Sequence, residues 1–269
     1  MRLVAMAATA FLLAGPVQGS AGYLASHQDA SGGFAEPGRQ GDAQTTAWAA
    51  LALVAAGGQS DALARARTYL AAHEDDARSD TDVALQVLAR ATLGDTPAAL
   101  LARLRAHVPG KLVNADVWTI IALRQVGDPA PKPLVRSVLS AQTKSGGWSW
   151  ARGGAPDTND TAAAVEALRA AGVGGTPIAR GLAYLRARQN RDGGFGLTSG
   201  RASDAQSTAW AIQATLAAGH RPGAAAWRFL SRLRRPDGSY RYSVAYATTP
   251  VWVTAQVVPA LAGKSFPLH

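Results

Sequence analysis

A single seven-residue pattern returns along this chain and fixes what the chain can fold into. Asp42-Ala43-Gln44-Thr45-Thr46-Ala47-Trp48 and Asp204-Ala205-Gln206-Ser207-Thr208-Ala209-Trp210 share six of seven residues, and Asp157-Thr158-Asn159-Asp160-Thr161-Ala162-Ala163 falls into the same frame. Looser copies are Asp80-Thr81-Asp82-Val83-Ala84, Asn114-Ala115-Asp116-Val117-Trp118 and Thr248-Thr249-Pro250-Val251-Trp252-Val253. The pattern places one structural site at positions 48, 84, 118, 163, 210 and 253, giving six repeats. Each copy opens on a polar helix-capping residue, continues as an Ala-rich apolar stretch and stops at Gly57, Gly94, Gly127, Gly172, Gly219 or Gly263. Such helices are apolar nearly all round and must be buried.

Between them run amphipathic, Arg-bearing segments such as Leu63 to His73, Leu100 to His107, Leu134 to Gln142, Ile178 to Gln189 and Ala224 to Arg234. A two-helix unit repeated six times, one helix buried and one half-buried, closes most economically as a ring. The expected fold is therefore all-α, an (α/α)6 toroid of six helix hairpins with inner and outer helix rings. An open solenoid would expose an apolar flank at each end unless capped, and no polar terminal repeat is visible.

The chain contains no cysteine, which excludes a disulfide framework, a thiolate metal site, a thiol nucleophile and an internal thioester. With 48% hydrophobic residues it is not a disordered polypeptide. The net charge of +9 is spread over Arg residues that recur at matching places, among them Arg65, Arg103, Arg186 and Arg232. No aromatic platform or nucleic-acid motif interleaves them, so no nucleic-acid partner is expected. A solvated outer-helix face explains them, with envelope or membrane-surface association through the basic outer helices as the functional option.

The chain starts Met1-Arg2, runs apolar from Leu3 to Leu13 apart from Thr9, and then reaches Gly15-Pro16 and the small residues around Gly19. That order describes a secretory signal peptide. The sequence thus divides into a leader at 1–19 and one toroid domain at 20–269, with cleavage after Gly19 or Ala21 and a secreted, extracytoplasmic location expected.

Three outer helices end alike, in Gln28-x3-Gly32-Gly33-Phe34, Gln142-x3-Gly146-Gly147-Trp148 and Gln189-x3-Gly193-Gly194-Phe195, while Arg234-x3-Gly238-Ser239-Tyr240 keeps all but the Gln. These resemble the QW motif of the squalene and oxidosqualene cyclases, and with the hairpin count they point to the terpenoid cyclase and protein prenyltransferase toroid superfamily. Read physically, the glycines reverse the chain and the Gln amide ties the loop to a neighbouring helix end. A second stretch, Pro156-Asp157-Thr158-Asn159-Asp160-Thr161-Ala162, is similar to the Asp-x-Asp-Asp-Thr-Ala element of class II terpene cyclases. The resemblance implies a general acid at its middle position, which here is Asn159, and an amide has no proton acidic enough to give an alkene.

In a closed ring all six inner helices run in one sense, so their N-termini gather at one mouth. Asp42, Gln44, Asp80, Asn114, Gln206 and Thr249 join that rim. The candidate ligand-binding residues there are Trp48, Asp82, Asp116, Trp118, Asn159, Asp204, Trp210 and Trp252. Indoles either fill the barrel or line a pocket, and neighbouring alanines leave room for one. The expected function is a non-catalytic toroid that binds an apolar small molecule or a protein partner at this mouth. The alternative is a class II terpene cyclase-like enzyme with Asp157 or Asp160 as a displaced acid. Neither a cofactor nor a metal is expected. His27, His73, His107 and His220 read as satisfied surface residues, and Asp75, Asp76, Asp80 and Asp82 as a turn and helix cap rather than a cation site.

Overall fold

The structure, a computed structural model, describes residues 15–268. In chain order the helices are α1 (15–25), α2 (Ala43–Ala55), α3 (Ser60–Ala72), α4 (Asp80–Thr92), α5 (Ala98–Arg105), α6 (Val113–Gln125), α7 (Lys132–Ser140), α8 (Thr158–Ala170), α9 (Thr176–Arg186), α10 (Ala205–Ala217), α11 (Ala224–Leu233) and α12 (Pro250–Leu261). The even-numbered helices are the Ala-rich inner ring. Each packs on the next, and α12 packs on α2, so the toroid is closed. The odd-numbered helices from α3 to α11 lie against them as the outer wall.

The capping expected from the repeats is in place in four of the six, while α6 begins at Val113 behind Leu112, which offers no side-chain cap. Asp42, Asp157 and Asp204 are N-caps with extended backbones, accepting from Thr45 N–H at 2.8 Å, Asp160 N–H at 2.9 Å and Ser207 N–H at 2.7 Å. Ser79 caps α4 in a reciprocal capping box with Asp82. Counted from these caps, Leu85 rather than Ala84 matches Trp48. In the last repeat Gln256 takes that place, three residues beyond the expected Val253, because Thr254 is the counterpart of Thr46. Pro250 and the left-handed Thr249 (φ 44°) begin α12 without a side-chain cap, so its start is shifted relative to the sequence repeat. Its free N–H groups are met instead from the first repeat, where Glu36 accepts from Val251 at 3.0 Å and Trp252 at 2.8 Å.

Four of the connections into the inner helices share one hydrogen-bonded turn. The N–H groups of Phe34, Trp148, Phe195 and Tyr240 donate to Thr46, Thr161, Thr208 and Thr254 Oγ1 at 2.8 to 2.9 Å. Gln28 and Gln142 each donate within the turn and to the next outer helix, at Ala62 O (2.8 Å) and Pro177 O (2.9 Å). The turn glycine lies on that outer helix's backbone: a Cβ on Gly193 (φ +89°) would stand 2.6 Å from Ala225 O. The fourth turn, at Gly238, rests on Gly19, and Ser20 Oγ donates to Gly238 O at 2.7 Å. Helix α1 thus completes the outer wall beside α12, and the expected leader boundary after Gly19 falls inside it. Residues 1–14, which carry the apolar leader run, lie outside the described residues. No helix among the described residues is long and apolar enough to cross a membrane.

Candidate functional site

The closed ring stacks the inner helices' inward-facing residues in levels, because residues four apart lie on one face of a helix. At the mouth the first level is Gln44, Thr81, Asn114, Asn159, Gln206 and Trp252. One turn deeper the second level is Trp48, Leu85, Trp118, Ala163, Trp210 and Gln256. Together with Asp82 and Asp160, these two levels line a cavity of about 180 Å³ that opens at the mouth. The floor is aromatic. Trp48, Trp118 and Trp210 meet edge to face with ring centroids 5.5 to 6.0 Å apart, an arrangement that contributes roughly 0.5–1.5 kcal/mol per pair beyond area burial.

The rim is mostly neutral and polar. Gln206 Nε2 donates to Gln256 Oε1 at 2.8 Å, and Trp210 Nε1 donates to the same oxygen at 2.9 Å. Asn114 Nδ2 donates to Asp160 Oδ1 at 2.8 Å, while Thr81 Oγ1 reaches Asn114 Oδ1 at 3.3 Å. Asn159 Oδ1 is enclosed and has no partner, leaving an acceptor inside the cavity wall. Asp160, on the same rim, has a strongly altered proton affinity. Burial, reinforced by the charge of Asp157 and a hydrogen bond between the two carboxyls, holds it well above the ordinary 3.8, against the opposing bond from Asn114.

Six of the eight residues expected to bind ligand, Trp48, Asp82, Trp118, Asn159, Trp210 and Trp252, come together at this cavity. The other two do not. Asp116 is fully buried and faces away, accepting from Ser137 Oγ and bonded to His107 Nε2 at 2.9 Å. Asp204 is 3% exposed and spends its carboxylate on Ser207, with burial raising it to about 6. Asp204 stands where a helix start needs an acceptor, so capping overrides display there, while Asp116, inside α6, is turned to the outer wall by His107 and Ser137. Of the two alternative acids, Asp160 lines the cavity and Asp157 caps α8.

His107 corrects the surface reading: its side chain is 9% exposed, held between Asp116 and, at 3.2 Å, Asp80. The bond to Asp116, supported by the charges of both aspartates and opposed by burial, raises its proton affinity. Asp82 is engaged by Ser79, and no group of three or more potential metal-ligating side chains occurs among the described residues. Gln256 was not legible beforehand, because the sequence repeat of α12 is out of step with its structural one.

No family model matches the chain, and no curated protein matches it in sequence. Solved structures do match in fold. The chain is similar to the type II terpene cyclase MstE from Scytonema, at 18% identity and a TM-score of 0.68, with 93% of this chain and 97% of that one covered. It also resembles ent-copalyl diphosphate synthase from Streptomyces platensis, at 18% identity and a TM-score of 0.58, over 82% of this chain and 50% of that one. A glycosidase aligns as well, at 15% identity and a TM-score of 0.60, over 92% of this chain and 95% of the other. The fold is the α/α toroid seen in these type II terpene cyclases, and proteins of different chemistry share it.

Proposed function

We propose that this toroid is an exported, non-catalytic binding protein whose mouth cavity takes a small amphipathic molecule. An apolar face of the ligand lies on Trp48, Trp118 and Trp210, and its hydroxyl or carbonyl groups meet the amides of Gln44, Asn114, Asn159 and Gln206. The observation that carries this reading is the two-level cavity, a ring of neutral hydrogen-bonding side chains over indoles. Its volume of about 180 Å³ falls below the roughly 300–1,000 Å³ of typical ligand pockets, which suits a compact guest better than a long polyprenyl chain. At the lumen-facing position of the Asp-x-Asp-Asp-like element stands Asn159, which has no acidic proton to give. The basic start and apolar Leu3–Leu13 run support export. The spread of Arg along the outer helices supports contact with an anionic envelope surface as a secondary role.

One observation favours the enzyme reading instead. Asp160 reaches the same cavity and is held in the protonated range at neutral pH, the state a general acid requires. Native mass spectrometry of protein recovered from the exporting cell's medium tests the binding reading. A bound small molecule lost on Trp118→Ala is expected, and the same spectrum gives the start of the exported chain. Recovery of empty protein, together with cyclised product from squalene or a shorter polyprenyl that Asp160→Asn abolishes, would establish the enzyme and overturn the binder.

A further inference from the structure

Below the indoles the ring changes character. One helical turn on from the second level stand Ala52, Ala89, Ala122, Ala167, Ala214 and Ala260, every one fully buried. Six methyl groups cannot fill a space ringed by six helices, and the chain's own segment after α12 does so. Residues 264–268 fold back into the ring from the end opposite the mouth. The Phe266 ring reaches the indole level, 5.9 Å from Trp48, 6.0 Å from Trp210 and 6.3 Å from Trp118 between centroids.

The segment is held to the wall through its backbone. Phe266 N–H donates to Glu166 Oε2 at 2.6 Å. Gln125, the last residue of α6, accepts from Leu268 N–H at 2.8 Å and donates to Leu268 O at 3.0 Å, a carboxamide reading an amide at two points. Glu166 has no other partner: it is fully buried in an Ala-rich helix and its Oε1 bonds nothing. Gln213, at the matching place in α10, likewise leaves Oε1 unpaired. Buried polar atoms left open are costly, on the order of 1–3 kcal/mol each, so a wall that carries two is incompletely used by its present occupant. Burial also favours the neutral form of Glu166, which then offers an O–H beside its accepting oxygen.

We propose that residues 264–268 are a separable occupant of a second ligand site, an Ala-walled chamber under the indoles that takes a linear apolar molecule whose terminal hydroxyl pairs with Glu166. Departure of the segment frees Glu166, Gln125 and the lower faces of three indoles together. The site is distinct from the mouth cavity and does not depend on what binds there.

Farnesol, a flexible apolar chain ending in a hydroxyl, is the probe. It is titrated into the full-length protein and into the Gln125→Ala variant, with tryptophan emission reporting binding and amide hydrogen exchange reporting the segment. Gln125 bonds only Leu268, so its truncation weakens the occupant without touching the ring's own helices. Saturating farnesol is expected to speed exchange at Phe266 and Leu268 at least tenfold, and Gln125→Ala to bind at least threefold more tightly than the unaltered chain. Failure of both proteins to bind, equal affinity in the two, or binding with Phe266 and Leu268 still protected would each overturn the proposal. The last outcome, accompanied by shifts of the Asn159 and Gln206 side-chain amides, would place farnesol at the mouth and leave the mouth reading intact.

Discussion

Two stretches of the ring solve the same joining problem with different chemistry. The connections into α2, α8, α10 and α12 use the glycine turn, where an aromatic residue's N–H meets a threonine of the inner helix. The connections into α4 and α6 lack that turn. All of the ion pairs among the described residues fall there: Arg90 with Glu74 and Asp95, Arg105 with Asp128, and His107 with Asp80 and Asp116. At the place of the turn's threonine, α6 carries Asp116, whose carboxylate binds His107 and Ser137. The backbone-centred joints do not depend on pairing opposite charges, whereas the ion-paired joints carry their stability only while their protons and counter-charges are in place.

The largest effect expected from breaking a glycine turn is at Trp148, which is fully buried and donates from Nε1 to Val138 O at 2.7 Å. Trp148→Ala should lower the unfolding free energy by about 3–5 kcal/mol, measured by chemical denaturation. A smaller and more discriminating comparison pairs two glycines of positive φ. Gly193→Ala must push a Cβ into Ala225 O, while Gly94 (φ +74°), in the ion-paired stretch, has nothing within 4 Å. The first substitution should cost about 2–3 kcal/mol and the second about 1 kcal/mol, the dihedral penalty alone. Equal costs would show that the turn's contact with the outer helix is slack.

The smallest effect is electrostatic and confined to the charged stretch. His107 binds its proton more tightly in the fold than when unfolded, so its stabilisation is complete below the ordinary value of about 6.5 and is lost as pH rises through the higher folded value. Melting temperature should therefore decline above neutrality more steeply in the unaltered protein than in His107→Gln. Identical slopes would mean that this joint does not depend on the histidine's charge.

The architecture was readable because the same physical demand recurs six times. An N-capping Asp or Ser marks four of the six copies, an apolar run and a stopping Gly mark all six, and the ring follows from their number. The cavity was partly readable for the same reason: Trp48, Trp118 and Trp210 share a register. What escaped has no repeat to announce it. Glu36 caps a helix in the last hairpin, Gln256 replaces an indole after a register shift at Pro250, and Lys264 to Leu268 is too short to show a period. Glu166 offered the one available signal, a lone carboxylate inside an otherwise apolar Ala-rich run. The raised proton affinity of Asp160 depends on burial and on a neighbour's charge, neither of which a linear pattern records.

The seam between α12 and α2 has a consequence for how the molecule is made. Glu36 waits for Val251, 215 residues further along, before its carboxylate finds the helix start it serves. Neighbouring hairpins can assemble in order as the polypeptide emerges, but the cylinder cannot shut until the sixth arrives, and joining so distant partners is slow. Until then the intermediate is a curved stack with two unpaired apolar edges, a species prone to stick to its own kind.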